Sequence, residues 1–90
     1  MYYIYILLSQ KDRQLYIGST LDLKLRLKKH QEGLIRATKY RRPLNLIYCE
    51  GYLTENDAKR REKFLKGGKG HSELKIQLKE TLTKLKYKNL

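Results

Sequence analysis

The amino-acid sequence predicts an α+β fold: a small antiparallel sheet flanked by helices, with elements in the order ββαβαα. Three observations carry this. β-favouring side chains cluster on both sides of a short polar turn near the start. Two later stretches open on helix-capping residues, and a third carries leucines at helical spacing. A further extended run lies between the first two helices and supplies the third strand.

Residues 2–9 begin with five β-favouring side chains in a row, Gln10-Lys11-Asp12-Arg13-Gln14 turns the chain, and Leu15-Tyr16-Ile17-Gly18 resumes extended character. Residues 2–18 therefore read as a β-hairpin. With a period of two, Ile4 and Ile6 face the core, and Tyr5 joins Tyr16 on the other, semi-exposed face. Thr20 or Asp22 caps a helix that runs to about Gln31 and ends at Gly33. On it Leu23 and Leu27 form a buried stripe, while Arg26 and His30, also four apart, project together from the adjacent one. A basic loop, Arg36 to Arg42, ends at Pro43, and Leu44 to Glu50 forms the third strand. Thr54 opens the second helix with Asp57 three positions on, a variant of the capping box, and Ala58, Glu62 and Leu65 fall near one face. Gly67-Gly68-Lys69-Gly70 follows a helix rather than a strand and lacks P-loop spacing, so it reads as a flexible connection whose lysine touches phosphates. The last helix spans about Ser72 to Leu85 on the stripe Leu74, Leu78, Leu82 and Leu85. Tyr87-Lys88-Asn89-Leu90 reads as a frayed end.

Ninety residues without repeats or linkers imply one domain, residues 1–90, with a modest core. The 21 Lys and Arg outnumber 9 Asp and Glu, giving a net charge of +12. That excess makes a polyanion the expected partner, with nucleic acid ahead of an anionic membrane. A single cysteine, Cys49, excludes a disulfide framework and a cysteine-rich zinc site. The apolar start is too short to span a bilayer or act as a signal peptide, so a cytoplasmic protein with no membrane association is expected.

Among the residues able to do chemistry, Tyr5 and Tyr16 share a sheet face beside a glycine that leaves backbone room. Their phenols suit water positioning and phosphate contact; they also suit simple stacking. Arg26 offers a planar bidentate fork to a phosphate, and His30 one turn on offers a donor or proton carrier near neutral pH. A helix-end histidine meeting the C-terminal dipole is the plainer alternative. Glu62, flanked by cations in Lys59-Arg60-Arg61-Glu62-Lys63, is either an ion-paired glutamate or a divalent-metal ligand. One carboxylate with waters and phosphate oxygens suffices to hold Mg²⁺. His71 and Cys49 have no partner at metal spacing and read as structural.

Taken in order, Tyr3-Ile4-Tyr5, Tyr16-Ile17-Gly18, Asp22-Leu23, Arg26-Leu27, His30, Thr38, Pro43, Tyr48, Glu50, Ala58, Arg61-Glu62 and Leu65-Lys66 resemble the GIY-YIG nuclease superfamily, in its small stand-alone bacterial branch. The resemblance covers about residues 2–70. It implies a three-stranded antiparallel sheet and Mg²⁺- or Mn²⁺-dependent endonucleolytic hydrolysis of DNA, linked to DNA repair or processing, with no small-molecule cofactor. No recognition helix or zinc finger accompanies the core, so selectivity for DNA structure or damage, or none, is expected rather than base readout. Tyr5 and Tyr16 match the motif tyrosines, one of which orients or deprotonates the attacking water, and Gly18 matches the motif glycine. Arg26 matches the arginine that steadies the scissile phosphate, His30 an assisting histidine, and Glu62 the metal ligand. Ser19 stands where the nuclease domain of the bacterial excision-repair incision protein carries a lysine; Lys24, Arg36 or Lys39 would supply the cation instead. Together with Arg41, Arg42, Lys66 and Lys69 these are the expected nucleic-acid contacts. A free tyrosine is only about 0.1% phenolate at pH 7, so a tyrosine base needs Arg26 or the metal beside it. The alternatives are a non-catalytic nucleic-acid-binding module of the same fold and an accessory protein docking an acidic partner. The choice between DNA and RNA and the oligomeric state stay open at this stage.

Overall fold

The computed structural model describes residues 1–88. Strand β1 (Tyr2–Ser9) pairs antiparallel with β2 (Leu15–Thr20) and with β3 (Leu44–Tyr52), giving a three-stranded sheet in the order β2-β1-β3. Helices α1 (Leu23–Gln31), α2 (Glu55–Lys66), α3 (Gly68–Gln77) and α4 (Lys79–Lys84) complete the α+β architecture expected from the sequence.

Central strand β1 has a neighbour on each edge and helices over each face, and every side chain from Ile4 to Leu8 is at most 1% exposed. On one face Ile4, Ile6 and Ile17 pack against Ala58 and Leu65 of α2 and Leu74 of α3, and Leu8 packs against Leu82 and Tyr87. Each fully buried Ile or Leu contributes about 1.5–3 kcal/mol. On the opposite face Tyr5 and Tyr16 meet His30 of α1. The semi-exposed face expected for Tyr5 is therefore covered, with Tyr5 itself 0% exposed.

Local caps set the helix limits. The Asp22 carboxylate accepts from the Leu25 amide at 3.0 Å and starts α1. The Thr54 hydroxyl accepts from the Asp57 amide at 3.3 Å and starts α2. On α1 the expected buried stripe is only half-buried at Leu23 and Leu27, and the side chain that reaches the interior is His30.

Three further expectations are corrected. The last helix is two helices, divided at Leu78 (φ −106°, ψ 23°). The glycine run is not a flexible connection: α3 begins at Gly68, and Gly70 lies so close to α2 that a Cβ there would collide with the Phe64 carbonyl. Finally, Tyr87 is not frayed. It is buried, its amide donates to the Leu82 carbonyl at 2.9 Å, and the Lys88 amide donates to the Arg13 carbonyl at 3.1 Å. Asn89 and Leu90 of that expected end lie outside the described residues.

Candidate catalytic and nucleic-acid-binding site

The strand register builds the first half of the site. Tyr5 pairs with Gly18, and Leu7 with Tyr16, so the two tyrosines are diagonal neighbours on one sheet face. Their rings lie 6.3 Å apart between centroids. Gly18 makes this possible, because a Cβ there would fall 2.6 Å from the Tyr5 hydroxyl oxygen and 3.0 Å from the Tyr16 ring. Any side chain at position 18 would drive the rings apart.

Helix α1 lays Arg26 and His30 over the same face. Arg26 Nε donates to the Tyr5 hydroxyl oxygen at 3.2 Å. The same hydroxyl lies 2.7 Å from His30 Nε2, and His30 Nδ1 lies 2.6 Å from Thr38 Oγ1. With Arg26 filling the acceptor role of the phenol, its proton is directed to Nε2, and Nδ1–H donates to Thr38; the tautomer is assigned from this network. His30 is 1% exposed. Burial, reinforced by the Arg26 charge, pushes its pKa down to about 4, so the ring is neutral at pH 7. The expected roles of C-terminal dipole partner and direct phosphate donor give way to a buried link between Tyr5 and Thr38. Burial also raises the Tyr5 pKa, against the lowering effect of Arg26, and the hydrogen bond to Tyr5 raises that of Arg26.

Glu62 comes from the other side of the sheet. Ser19, paired with Ile4 and facing α2, donates its hydroxyl to Glu62 Oε1 at 2.9 Å, and Lys66 Nζ donates to Oε2 at 2.9 Å. Burial raises the pKa of this carboxyl, but the hydrogen bonds from Lys66 and Ser19 more than offset that and leave it below the ordinary value. It is an ionised hard-oxygen donor, and the Lys66 ammonium already stands where a cation would sit. The donor chemistry thus fits a divalent cation. Among the described residues no cluster of three or more His, Cys, Asp or Glu could hold a metal, so Glu62 would do so as a single carboxylate with waters and phosphate oxygens.

A second carboxylate completes the mounting of α2. Arg61 forks onto Glu50 of β3 with two bonds of 2.9 Å, and the hydroxyls of Tyr48 and Tyr52 each donate to Glu50 at 2.7 Å. Burial, followed by the bond to Glu50, pushes the Tyr52 pKa up to about 12.

The expected phosphate contacts divide. Lys24, Arg36, Lys39 and Lys69 are exposed. Arg41 is instead an internal pin, bonded to Asp12 at 2.6 Å and to the Leu15 carbonyl. Arg42, though exposed, donates to the carbonyls of Lys39 and Gln31, and Lys66 is held by Glu62. Local periodicity gives no sign of the Thr38–His30, Ser19–Glu62 or Glu50–Arg61 contacts, because each joins two different segments of the fold; Thr38, Glu50 and Arg61 enter the sequence reading as members of the ordered motif set.

The family described as the GIY-YIG catalytic domain matches residues 1–77. A UPF0213 protein of Staphylococcus saprophyticus is 38% identical over 76 residues, covering 83% of this chain and 92% of that one. The UPF0213 protein YazA of Bacillus subtilis is 40% identical over 57 residues, 62% of this chain and 58% of its own. A UPF0213 protein of Staphylococcus aureus is 39% identical over 62 residues, 68% of this chain and 74% of that one. No solved structure matches the chain.

Proposed function

The chain belongs to the GIY-YIG family, and on that premise we propose that it is an endonuclease hydrolysing DNA phosphodiester bonds with Mg²⁺ or Mn²⁺ held at Glu62, residues 1–90 acting as one unit. The observation that carries this reading is the contact cluster of Tyr5, Tyr16, Arg26 and His30 around the space that Gly18 leaves open.

The geometry divides the labour. Tyr5 is sealed from solvent, so its hydroxyl serves to position Arg26 and to be held by His30. Tyr16, half-buried on the edge strand, is the phenol left to meet an attacking water. With Arg26 Nε committed to Tyr5, the terminal amino groups of the guanidinium are the pair to grip the scissile phosphate and neutralise charge that develops on it. A divalent cation at Glu62 would polarise the phosphoryl oxygen and stabilise the leaving group. Lys24, Arg36, Lys39 and Lys69 steer the DNA backbone, without base readout, so selectivity would rest on DNA structure.

The test is incubation of purified protein with duplex, single-stranded and branched DNA in Mg²⁺ or Mn²⁺. Cleavage by wild type and none by Glu62→Ala is the expected result; identical products from both would sink the proposal. A second reading, a binding module without catalysis, draws on the Lys66–Glu62 bond, which already neutralises the carboxylate. Salt-dependent binding with no cleavage in either metal would favour it.

A further inference from the structure

We propose that the segment joining α1 to β3 is a stacking platform for an unpaired nucleobase, with Tyr40 as its surface. This rests on the nucleic-acid reading above and gives it a substrate class: DNA that carries a single-stranded segment.

The segment is held at nearly every residue around Tyr40. Thr38 is bonded to His30, Arg41 to Asp12 and the Leu15 carbonyl, and the Ser9 hydroxyl donates to the Arg41 carbonyl at 2.6 Å. Arg42 donates to Lys39 and Gln31, and the Gln10 amide donates to the Pro43 carbonyl at 2.8 Å. Yet Tyr40, in the 3-10 turn Lys39–Arg41 at the centre of this anchored segment, is 75% exposed. An aromatic ring so displayed adds little to the core, and the anchoring means it gives up little freedom when a flat ligand lands on it.

Its surroundings fit a nucleotide. Lys39 Nζ lies 5.4 Å from the Tyr40 ring centroid. Beside it a cavity of about 590 Å³ opens between Lys11, Lys39, Tyr40, Arg42 and Leu44. That volume lies within the range of small-ligand sites. An aromatic face next to cations is the combination that single-stranded nucleic acid uses: the ring takes a base, the ammonium groups take the flanking phosphates. A blunt duplex, with every base paired and stacked, has none to offer. Through Thr38 the platform is also tied to His30 and so to Tyr5, which fixes the distance between a base stacked at Tyr40 and the tyrosine cluster.

The experiment measures binding without divalent cation, so cleavage plays no part in it. The probe is a single-stranded oligonucleotide containing 2-aminopurine, whose fluorescence falls on stacking, with a blunt duplex of equal phosphate count for comparison. Wild type should quench the probe. Tyr40→Ala should lose the quenching and about tenfold or more of the single-strand affinity, Tyr40→Phe should retain both, and duplex affinity should not change. Equal single-strand binding and quenching by wild type and Tyr40→Ala would overturn the platform, as would an equal loss of duplex affinity in Tyr40→Ala. A surface that instead docks an acidic protein predicts no quenching by wild type, which also overturns it. Cleavage in Mg²⁺ or Mn²⁺ is assayed separately on wild type, so failure of the nuclease reading and failure of the stacking platform are recognised apart.

Discussion

The neutral, buried His30 makes the stability of this protein depend on pH in a defined direction. Its folded pKa is about 4 against an ordinary 6.5, with burial the larger cause and the Arg26 charge the smaller. The folded state therefore resists a proton that the unfolded chain accepts. The contribution is complete above pH 6.5, declines as pH falls from there towards 4, and is fully lost below 4. The difference between these pKa values corresponds to roughly 3 kcal/mol, of which about 2 kcal/mol disappears between pH 7.5 and pH 5. That is a large share of the 5–15 kcal/mol typical of small domains. Asp12, with its pKa lowered to about 2 chiefly by the hydrogen bond from Arg41, changes stability only below about pH 4 and so leaves this window clear. The assay is urea unfolding of wild type and His30→Gln from pH 7.5 to pH 5, with the histidine ring signals followed by NMR and assigned by their loss in the variant. Wild type should lose about 2 kcal/mol across the window while His30→Gln stays flat. A wild-type midpoint that does not move, or a His30 ring that titrates near 6.5, would refute the reasoning.

Gly18→Ala should cost about 1–3 kcal/mol and abolish cleavage, because the new methyl meets Tyr5, whose buried ring has no free space to enter; wild-type melting and activity would contradict this. Lys66→Ala frees one oxygen of Glu62, so half-maximal cleavage should need less Mg²⁺, by up to about fivefold for an exposed i,i+4 pair, and an unchanged or higher requirement would count against metal at Glu62. Arg61→Met leaves the half-buried Glu50 carboxylate facing only two tyrosine hydroxyls. It should destabilise by about 2 kcal/mol at pH 7 and by less in acid, as Glu50 takes up a proton; equal losses at neutral and acid pH in urea titrations would show that the ion pair is not the cause.

Elements with a local cause were legible from sequence. The hairpin and the third strand follow from β-favouring runs and the turn residues between them, and Thr54 caps the second helix as expected, while Asp22 is one of the two caps, with Thr20, that the first helix offered. The tyrosine pair was legible as well, because a period of two and a hairpin place Tyr5 near Tyr16. What escaped depends on which layer covers which face. The apolar run Ile4 to Leu8 lacks alternation because helices cover both faces of the sheet there, and only the packing of α1 opposite α2 and α3 reveals that. His30 was recognised but misplaced: spacing put it on a stripe beside Leu23 and Leu27, whereas hydrogen bonds to Tyr5 and Thr38 draw it into the interior and leave those leucines half-buried. Arg41 and Lys66 were likewise placed among the phosphate contacts, though Arg41 is paired with Asp12 and Lys66 with the carboxylate it neighbours. Gly70 misled for the opposite reason. Its glycine signals a close approach of α3 to α2, and helical breakage was only the commoner meaning.

The position of the proposed chemistry follows from β2 being the sheet edge. Side chains alternate along it, so Tyr16 and Gly18 face α1 while Ser19 faces α2 and holds Glu62. On a central strand these groups would be separated by neighbouring strands; at an edge, the two faces meet along a free border that a phosphodiester backbone can follow. Reaching that border requires α2 to keep one rotation about its axis. Arg61 and Glu62 are consecutive, about 100° apart around the helix, and each is fastened to a different strand: Arg61 to Glu50 on β3, Glu62 to Ser19 on β2. Rolling α2 either way would break one of these contacts. The Glu50 fork therefore acts on the proposed metal ligand from across the sheet, and the Arg61→Met variant should weaken the response of cleavage to Mg²⁺ as well as stability, while leaving the Tyr5–His30 contact on the far face intact.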